Sequence, residues 1–168
     1  IEDGVILGGK YLDVSRITSS KSIDDLVSSL SIIISLLSKE ASQEIVLDGL
    51  IPLFTKHSKN IAELEQKLTY AFATASTTSK YSKKSTNVSI RLQLNSDLKI
   101  VNAIINAYRN YTKITPIPKI GLIVDFDKGK VTDVSAALAE IISIGGKVMF
   151  AKGEVSSYGI TNNTAKNS

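Results

Sequence analysis

The chain has 168 residues, of which 43 % are hydrophobic and 21 % are charged, with a net charge of +4 and no cysteine. This composition is sufficient for a buried core and argues against a disordered chain, and the lack of cysteine excludes disulfides, thiolate metal sites and thiol nucleophiles. The length predicts a single domain over residues 1–168, with a helical part at about 18–79, a β-α-β-α-β part at about 86–156 and a polar tail at 157–168.

The N-terminal residues from Gly4 to Ile17 have the pattern of a β-hairpin. Val5 to Leu7 form a short apolar run, Gly8-Gly9 suits a turn, and Tyr11 to Val14 form the second run. Two short apolar runs joined by glycines are typical of paired strands. The sequence therefore predicts an N-terminal hairpin ahead of the helical part.

The first predicted helix runs from Ser22 to about Lys39, and no charged residue lies between Asp25 and Lys39. Ser22 and Asp25 have the spacing of a capping box. Such an apolar helix belongs in the chain's own core, at a contact with another copy or partner, or in a membrane, and small residues let a neighbouring backbone approach closely. The predicted contact residues are Val27, Ser28, Ser31, Ile34, Ser35 and Leu37, with Ile32, Ile33 and Leu36 widening the apolar stripe.

Two further helices are predicted before the chain turns polar. The second starts near Ser42, includes Ile45 to Leu47, and should kink or end at Pro52, because proline interrupts a helix interior. The third begins at Asn60, a capping residue. Ser76 to Thr86 is rich in serine, threonine and lysine and lacks periodicity, which predicts a linker or surface loop.

Residues 86–152 predict a β-α-β-α-β unit. Val88 to Leu94 alternates apolar and polar residues, so this strand should bury one face and expose the other to water. Ile120 to Phe126 is a nearly continuous apolar run typical of a strand in a parallel sheet, and Lys147 to Ala151 suits the next strand. Gly145-Gly146 should end the helix between them.

The predicted fold class is α+β, α/β-like. It comprises the N-terminal hairpin and three helices, followed by the β-α-β-α-β unit, as a two-layer sandwich with both crossover helices on one side of the sheet. A doubly wound α/β fold is the alternative, because the choice depends on whether the half-polar first strand of the unit leaves one sheet face uncovered.

Asp125 and Asp127 are the main chemical candidates, because they follow a buried strand at the end where α/β proteins place their sites. Their spacing resembles the first motif of the haloacid-dehalogenase phosphatases, but Gly129 stands where that family usually has threonine or valine, so the chain is not assigned to it. Weak cation binding by the two carboxylates and a plain surface turn both remain open. No catalytic residue and no cofactor is predicted.

Positive charge is concentrated in the second half of the chain. Residues 1–75 carry a net charge of −3 and residues 76–168 a net charge of +7. This asymmetry fits a polyanionic partner such as nucleic acid or an acidic surface, although a basic solvated surface is the simpler interpretation. The candidate polyanion contacts are Lys80, Lys83, Lys84, Arg91, Lys128 and Lys130.

The leading functional hypothesis is a non-enzymatic structural or interaction protein, a subunit of an extracellular or virion assembly that pairs with its own copies or with another protein. It depends on the uncharged helix and on the lack of a recognised catalytic set. The first residue is Ile1 rather than methionine, which fits a processed, secreted or virion-associated chain. The alternatives are a polyanion-binding module and a secreted toxin-like protein that acts at membranes.

Overall fold

A computed structural model describes residues 10–14, 22–40, 44–79, 88–94, 97–115, 118–125 and 134–151. The elements in chain order are β1 (Lys10–Asp13), α1 (Ile23–Glu40), β2 (Ile45–Asp48), α2 (Leu50–His57), α3 (Ile61–Ser79), β3 (Val88–Gln93), α4 (Leu98–Ile114), β4 (Ile120–Asp125), α5 (Ser135–Ser143) and β5 (Val148–Ala151). The predicted polar tail at 157–168 lies outside these residues.

The five strands form one parallel sheet in the order β1-β2-β3-β4-β5. In a parallel sheet with this sequential order, right-handed crossovers place every connecting helix on the same face. The helices share one apolar core with one face of the sheet, while the other face, called the second face below, carries its own small apolar cluster. The predicted α/β-like, two-layer fold is therefore confirmed, and the doubly wound alternative does not describe these helices.

The second arm of the predicted hairpin is observed as β1, but its partner differs from the prediction. β1 pairs in parallel with β2, with Tyr11 beside Val46 and Asp13 beside Asp48. The first arm and the Gly8-Gly9 turn lie outside the described residues. β1 is thus the outermost described strand on one side of the sheet that contains the β-α-β-α-β unit.

The second predicted helix is wrong in its first half. Ile45–Asp48 is the strand β2, and the helix α2 begins only at Leu50. Gly49 separates the two elements with a φ of 86°, a left-handed conformation that glycine adopts without strain. Pro52 lies in the first turn of α2, where proline is tolerated, so it does not end the helix.

β3 is buried on both faces, contrary to the predicted water-exposed face. Ser89 and Arg91 are only 7 % and 3 % exposed. The polar residues of the alternating pattern therefore mark buried polar positions on the second face.

The linker predicted from Ser76 starts later than expected, because α3 continues to Ser79. The residues that follow up to β3 lie outside the described part of the chain.

Two tyrosines attach α4 to the starts of the next two strands. The Tyr108 hydroxyl donates to the Ile120 carbonyl at 2.6 Å and accepts from the Lys147 backbone N–H at 3.0 Å. The Tyr111 hydroxyl accepts from the Lys119 N–H at 3.0 Å and also hydrogen-bonds Ser76 on α3. Burial raises the pKa of both tyrosines above the ordinary value, so each hydroxyl stays protonated and able to donate.

The helix α1 lies beside α3 in the helix layer. Ser22 caps it as predicted, accepting from the Asp25 N–H at 3.1 Å. Lys67 of α3 forms an ion pair with Asp24, and Ser31 donates to the Ala71 carbonyl at 3.5 Å. The small serine side chains of α1 thus allow α3 of the same chain to approach closely.

Candidate functional site

A charged cluster lies on the second face, at the carboxyl ends of the three central strands. Asp48 ends β2, Arg91 lies near the end of β3 and Asp125 ends β4. The register places Gln93 directly beside Asp125. The carboxyl ends of parallel strands meet at one sheet edge, which is where α/β proteins place their binding sites. This charged cluster is therefore the candidate chemical site of the described residues.

Arg91 is the centre of the charged cluster. Its Nη1 atom donates to both carboxylate oxygens of Asp48, each at 3.1 Å, and its Nη2 atom donates to Asp125 Oδ2 at 2.5 Å. When the Gln93 amide oxygen faces the guanidinium, it accepts from Nη2 at 2.9 Å and from Nη1 at 3.2 Å. One guanidinium thus joins three neighbouring strands through charge-assisted hydrogen bonds.

Asp48 also fixes the start of α2. Its Oδ1 atom accepts from the Gly49 N–H at 2.8 Å in addition to the bond from Arg91. The carboxylate is 24 % exposed, whereas the side chain of Asp125 is 7 % exposed. The strand-to-helix turn after β2 therefore depends on the same carboxylate that neutralises Arg91.

Tyr11 brings β1 to the charged cluster. Its hydroxyl is buried close to the Asp48 carboxylate, although no hydrogen bond of standard geometry forms between them. Burial is the main cause that raises the pKa of Tyr11 above its ordinary value; the charge of Asp48 adds to this effect and that of Arg91 opposes it. The phenol therefore stays neutral and offers a proton donor at the edge of the charged cluster.

The electrostatic balance holds Arg91 in its charged form. Burial alone lowers the pKa of a guanidinium, but the negative charges of Asp48 and Asp125 and the hydrogen bond to Asp125 act against burial, and the pKa of Arg91 is raised. Two carboxylates against one guanidinium leave the charged cluster with a net charge of −1. Removing the guanidinium would leave buried, uncompensated charge, which typically costs about 3–5 kcal/mol.

The predicted cation ligands are only partly placed. Asp125 is buried and paired with Arg91, so its carboxylate is engaged by a guanidinium, while Asp127 lies outside the described residues. Among the residues that the structure describes, no group of three histidine, cysteine, aspartate or glutamate side chains is arranged to hold a metal ion.

The structure corrects the expected exposure of Arg91, the one described member of the predicted polyanion contacts. Arg91 was expected on a water-exposed strand face, and it is 3 % exposed with two carboxylate partners. A buried and neutralised guanidinium is not available to a phosphate. The remaining members, which stay predictions, lie outside the described ranges: Lys80, Lys83, Lys84, Lys128 and Lys130.

The predicted contact residues on α1 divide between core and surface. Val27 and Ile34 are buried in the chain's own core. Ser28 is exposed, while three further positions are half-buried: Ser31, Ser35 and Leu37. The large apolar side chains that reach solvent are instead Ile32 and Leu36, which are 59 % and 52 % exposed.

We call Ser28, Ile32 and Leu36 the α1 outer face. The three residues follow one another at intervals of four, so they lie in one row along the helix. On the neighbouring helix Tyr70 is 74 % exposed, one residue before the Ala71 carbonyl that Ser31 contacts. The exposed apolar row therefore lies part of a helical turn away from the buried Val27 and Ile34, and the contact itself stays a prediction.

The charged cluster and the α1 outer face each have a signal in the sequence, but neither signal locates them. Asp48-Gly49 after three apolar residues is a strand-ending signal, and Arg91 alternates with apolar residues in β3. Their pairing joins residues 43 positions apart, so no local pattern could report it. Ile32 and Leu36 were recognised as part of an apolar stripe, but the side of the helix that faces the core depends on how the helix packs.

Every helix in the described part of the chain is too short or too polar to cross a membrane. Membrane action stays a prediction from the sequence.

Comparisons with protein-family models, with curated proteins and with solved structures find no match to this chain.

Proposed function

We propose that this protein is a non-enzymatic structural or interaction protein that associates with copies of itself through the α1 outer face. The observation that carries the proposal is the exposure of Ile32 and Leu36, 59 % and 52 %, on a helix without a charged residue between Asp25 and Lys39. The setting suggested by the sequence is an extracellular or virion assembly.

Exposed aliphatic side chains are common singly, so their arrangement matters more than their number. Ile32 and Leu36 lie one helical turn apart, and the neighbouring exposed position on the same row is the small Ser28. A contiguous apolar patch without charge is the kind of surface that proteins use for contacts. The charged residues that normally keep such a helix face solvated occur only towards the two ends of α1.

The charged cluster on the second face supports this non-enzymatic interpretation. Both carboxylates are hydrogen-bonded to Arg91, and Asp48 also binds the Gly49 N–H. A general acid or base must reach a substrate proton, and both carboxylates are engaged by the guanidinium in this arrangement. The cluster therefore joins three strand ends, and the exposed apolar surface lies on the helix layer.

Sedimentation equilibrium of the unmodified chain tests the proposal. The mass should rise above that of one chain, 18.1 kDa, as the concentration increases from about 5 µM to about 500 µM, because one helix face buries less surface than a standard interface and gives a weak association. A constant mass of one chain over this whole range would contradict self-association.

A further inference from the structure

A row of residues on α1 has the same spacing from either end. Asp25, Ser28, Ile32, Leu36 and Lys39 follow one another at intervals of three, four, four and three residues. At 3.6 residues per turn they fall within about 80° of the helix circumference, so they share one face. The pattern is symmetric about Ile32 in position, with an acid near one end and a base near the other.

We propose that α1 packs antiparallel against α1 of a second copy, with the two-fold axis at Ile32. This inference rests on the proposed self-association through the α1 outer face. Under that axis Ile32 meets Ile32 of the second copy, and Ser28 of each copy meets Leu36 of the other. A two-fold contact uses the same surface on both copies, so a symmetric pattern on one helix is what such a contact requires.

Size complementarity favours the antiparallel arrangement. Placing the large Leu36 opposite the small Ser28 lets the two helices approach along the whole contact, as side chains of one helix fill the grooves of the other. A parallel pair would set Ser28 against Ser28 and Leu36 against Leu36, which leaves a gap at one end and crowding at the other. Only the antiparallel pair fills both ends equally.

Charge complementarity points the same way and identifies a second copy as the partner. Asp25 lies seven residues before Ile32, and Lys39 lies seven residues after it, so an antiparallel pair brings the helix position of each acid opposite the helix position of the other copy's base. Asp25 makes no ion pair within the described residues, whereas Asp24 is paired with Lys67 of the same chain. Antiparallel helix dipoles also attract, while a parallel pair would set Asp25 against Asp25.

Cysteine crosslinking tests this arrangement directly, because the chain contains no cysteine of its own. On mild oxidation the Ile32→Cys variant should form a disulfide-linked dimer by itself, since a residue on the two-fold axis meets its own copy at a distance that a disulfide can span. Ser28→Cys and Leu36→Cys should crosslink slowly alone and rapidly when the two variants are mixed. Asn102→Cys, at an exposed position on α4, is the matched control and should form no disulfide-linked dimer above background.

The outcomes separate this inference from the proposed function. Rapid crosslinking of Ile32→Cys and of the mixed pair supports the two-fold contact. If Ser28→Cys and Leu36→Cys each crosslink alone while the mixture gains nothing, the helices are parallel and the inference is overturned, but self-association through this face stands. If the unmodified chain keeps the mass of one chain and no variant exceeds the Asn102→Cys control, both are overturned.

A charge exchange gives an independent test. Asp25→Lys and Lys39→Asp should each weaken the dimer by about tenfold, because each single change sets like charges against each other in two symmetric places. The double variant restores both pairs with the signs exchanged, and its dissociation constant should return to within about threefold of the unmodified chain. A double variant that dimerises no better than either single variant would contradict the antiparallel pairing.

Discussion

The helices α1 and α4 have similar lengths and pack on the same sheet face, yet their outer faces differ. The α4 outer face carries polar residues along its length, among them Asn102, Arg109 and Lys113, and the last two form ion pairs with Glu140. The middle of the α1 outer face carries Ile32 and Leu36. The fold requires only the inner face of each helix to be apolar. The uncharged outer face of α1 is therefore an additional property, and it is one that contact surfaces typically have.

The largest expected effect concerns a group that belongs to neither helix. Arg91→Met should lower the free energy of unfolding by about 3–5 kcal/mol at pH 7, because Asp48 and Asp125 are left close together without their counter-charge. Urea unfolding of the variant and of the unmodified chain at pH 7 measures the difference.

The self-association of the Arg91→Met variant serves as a control. The folded Arg91→Met variant should keep the concentration-dependent mass of the unmodified chain, because the charged cluster is on the face of the sheet opposite the helices. Loss of association in the folded variant would show that the second face, rather than the α1 outer face, carries the contact.

The inner faces of the two helices should respond alike. Ile34 on α1 and Ile104 on α4 are both fully buried in the main core. Ile34→Ala and Ile104→Ala should each lower the free energy of unfolding by about 2–4 kcal/mol, through lost burial and the cavity left behind. Denaturant unfolding of both variants measures this, and an Ile34→Ala variant as stable as the unmodified chain would mean that α1 is not part of the core.

A smaller effect is expected from the hydroxyl that attaches α4 to two strands. Tyr108→Phe should lower the free energy of unfolding by about 1–2 kcal/mol, since the Lys147 N–H loses its buried partner. No matching tyrosine exists on α1. An unchanged free energy of unfolding would show that another group satisfies this N–H.

The same tyrosines predict an alkaline limit of stability. Burial raises the pKa of Tyr108 and Tyr111 above the value of about 10 in an unfolded chain. A raised pKa in the folded state contributes stability that is complete below pH about 10 and is lost as the pH rises through the folded pKa. Unfolding measured from pH 8 to pH 12 should show the decline, and Tyr108→Phe should make it shallower.

The smallest effect on folding is expected on the two outer faces. Ile32→Asp and Asn102→Asp should each change the free energy of unfolding of the monomer by less than about 0.5 kcal/mol, because both positions are solvent-exposed within one chain. Thermal unfolding at low concentration, where the chain is monomeric, measures this. A large loss for Ile32→Asp would place Ile32 in the core and remove it from the contact.

The sequence predicted most of the helices and the β-α-β-α-β unit, because those elements have clear periodicity and end signals such as Gly145, whose φ of 97° is left-handed. It misassigned Ile45–Asp48, since a run of three apolar residues fits either a helix or a strand. It also missed the parallel pairing of β1 with β2, because strand pairing joins segments that are distant in the chain.

The candidate surfaces were predictable only in part for the same reason. The apolar, uncharged character of α1 is a local property and was read correctly, but the choice of Val27 and Ile34 as contact residues required knowing which side faces the sheet. The alternating polar residues of β3 predicted a water-exposed strand face. Arg91 is instead buried, because Asp48 and Asp125 on the neighbouring strands pair with it. A buried ion pair between distant residues has no signature in either segment alone.

Light scattering behind a sizing column, on the unmodified chain and on the matched variants Ile32→Asp and Asn102→Asp, tests the central claim most directly. At high concentration the unmodified chain and Asn102→Asp should share a mass above that of one chain, while Ile32→Asp should elute with the mass of one chain, because two aspartates would meet in an apolar contact. Equal masses for all three proteins would contradict the assignment of self-association to the α1 outer face.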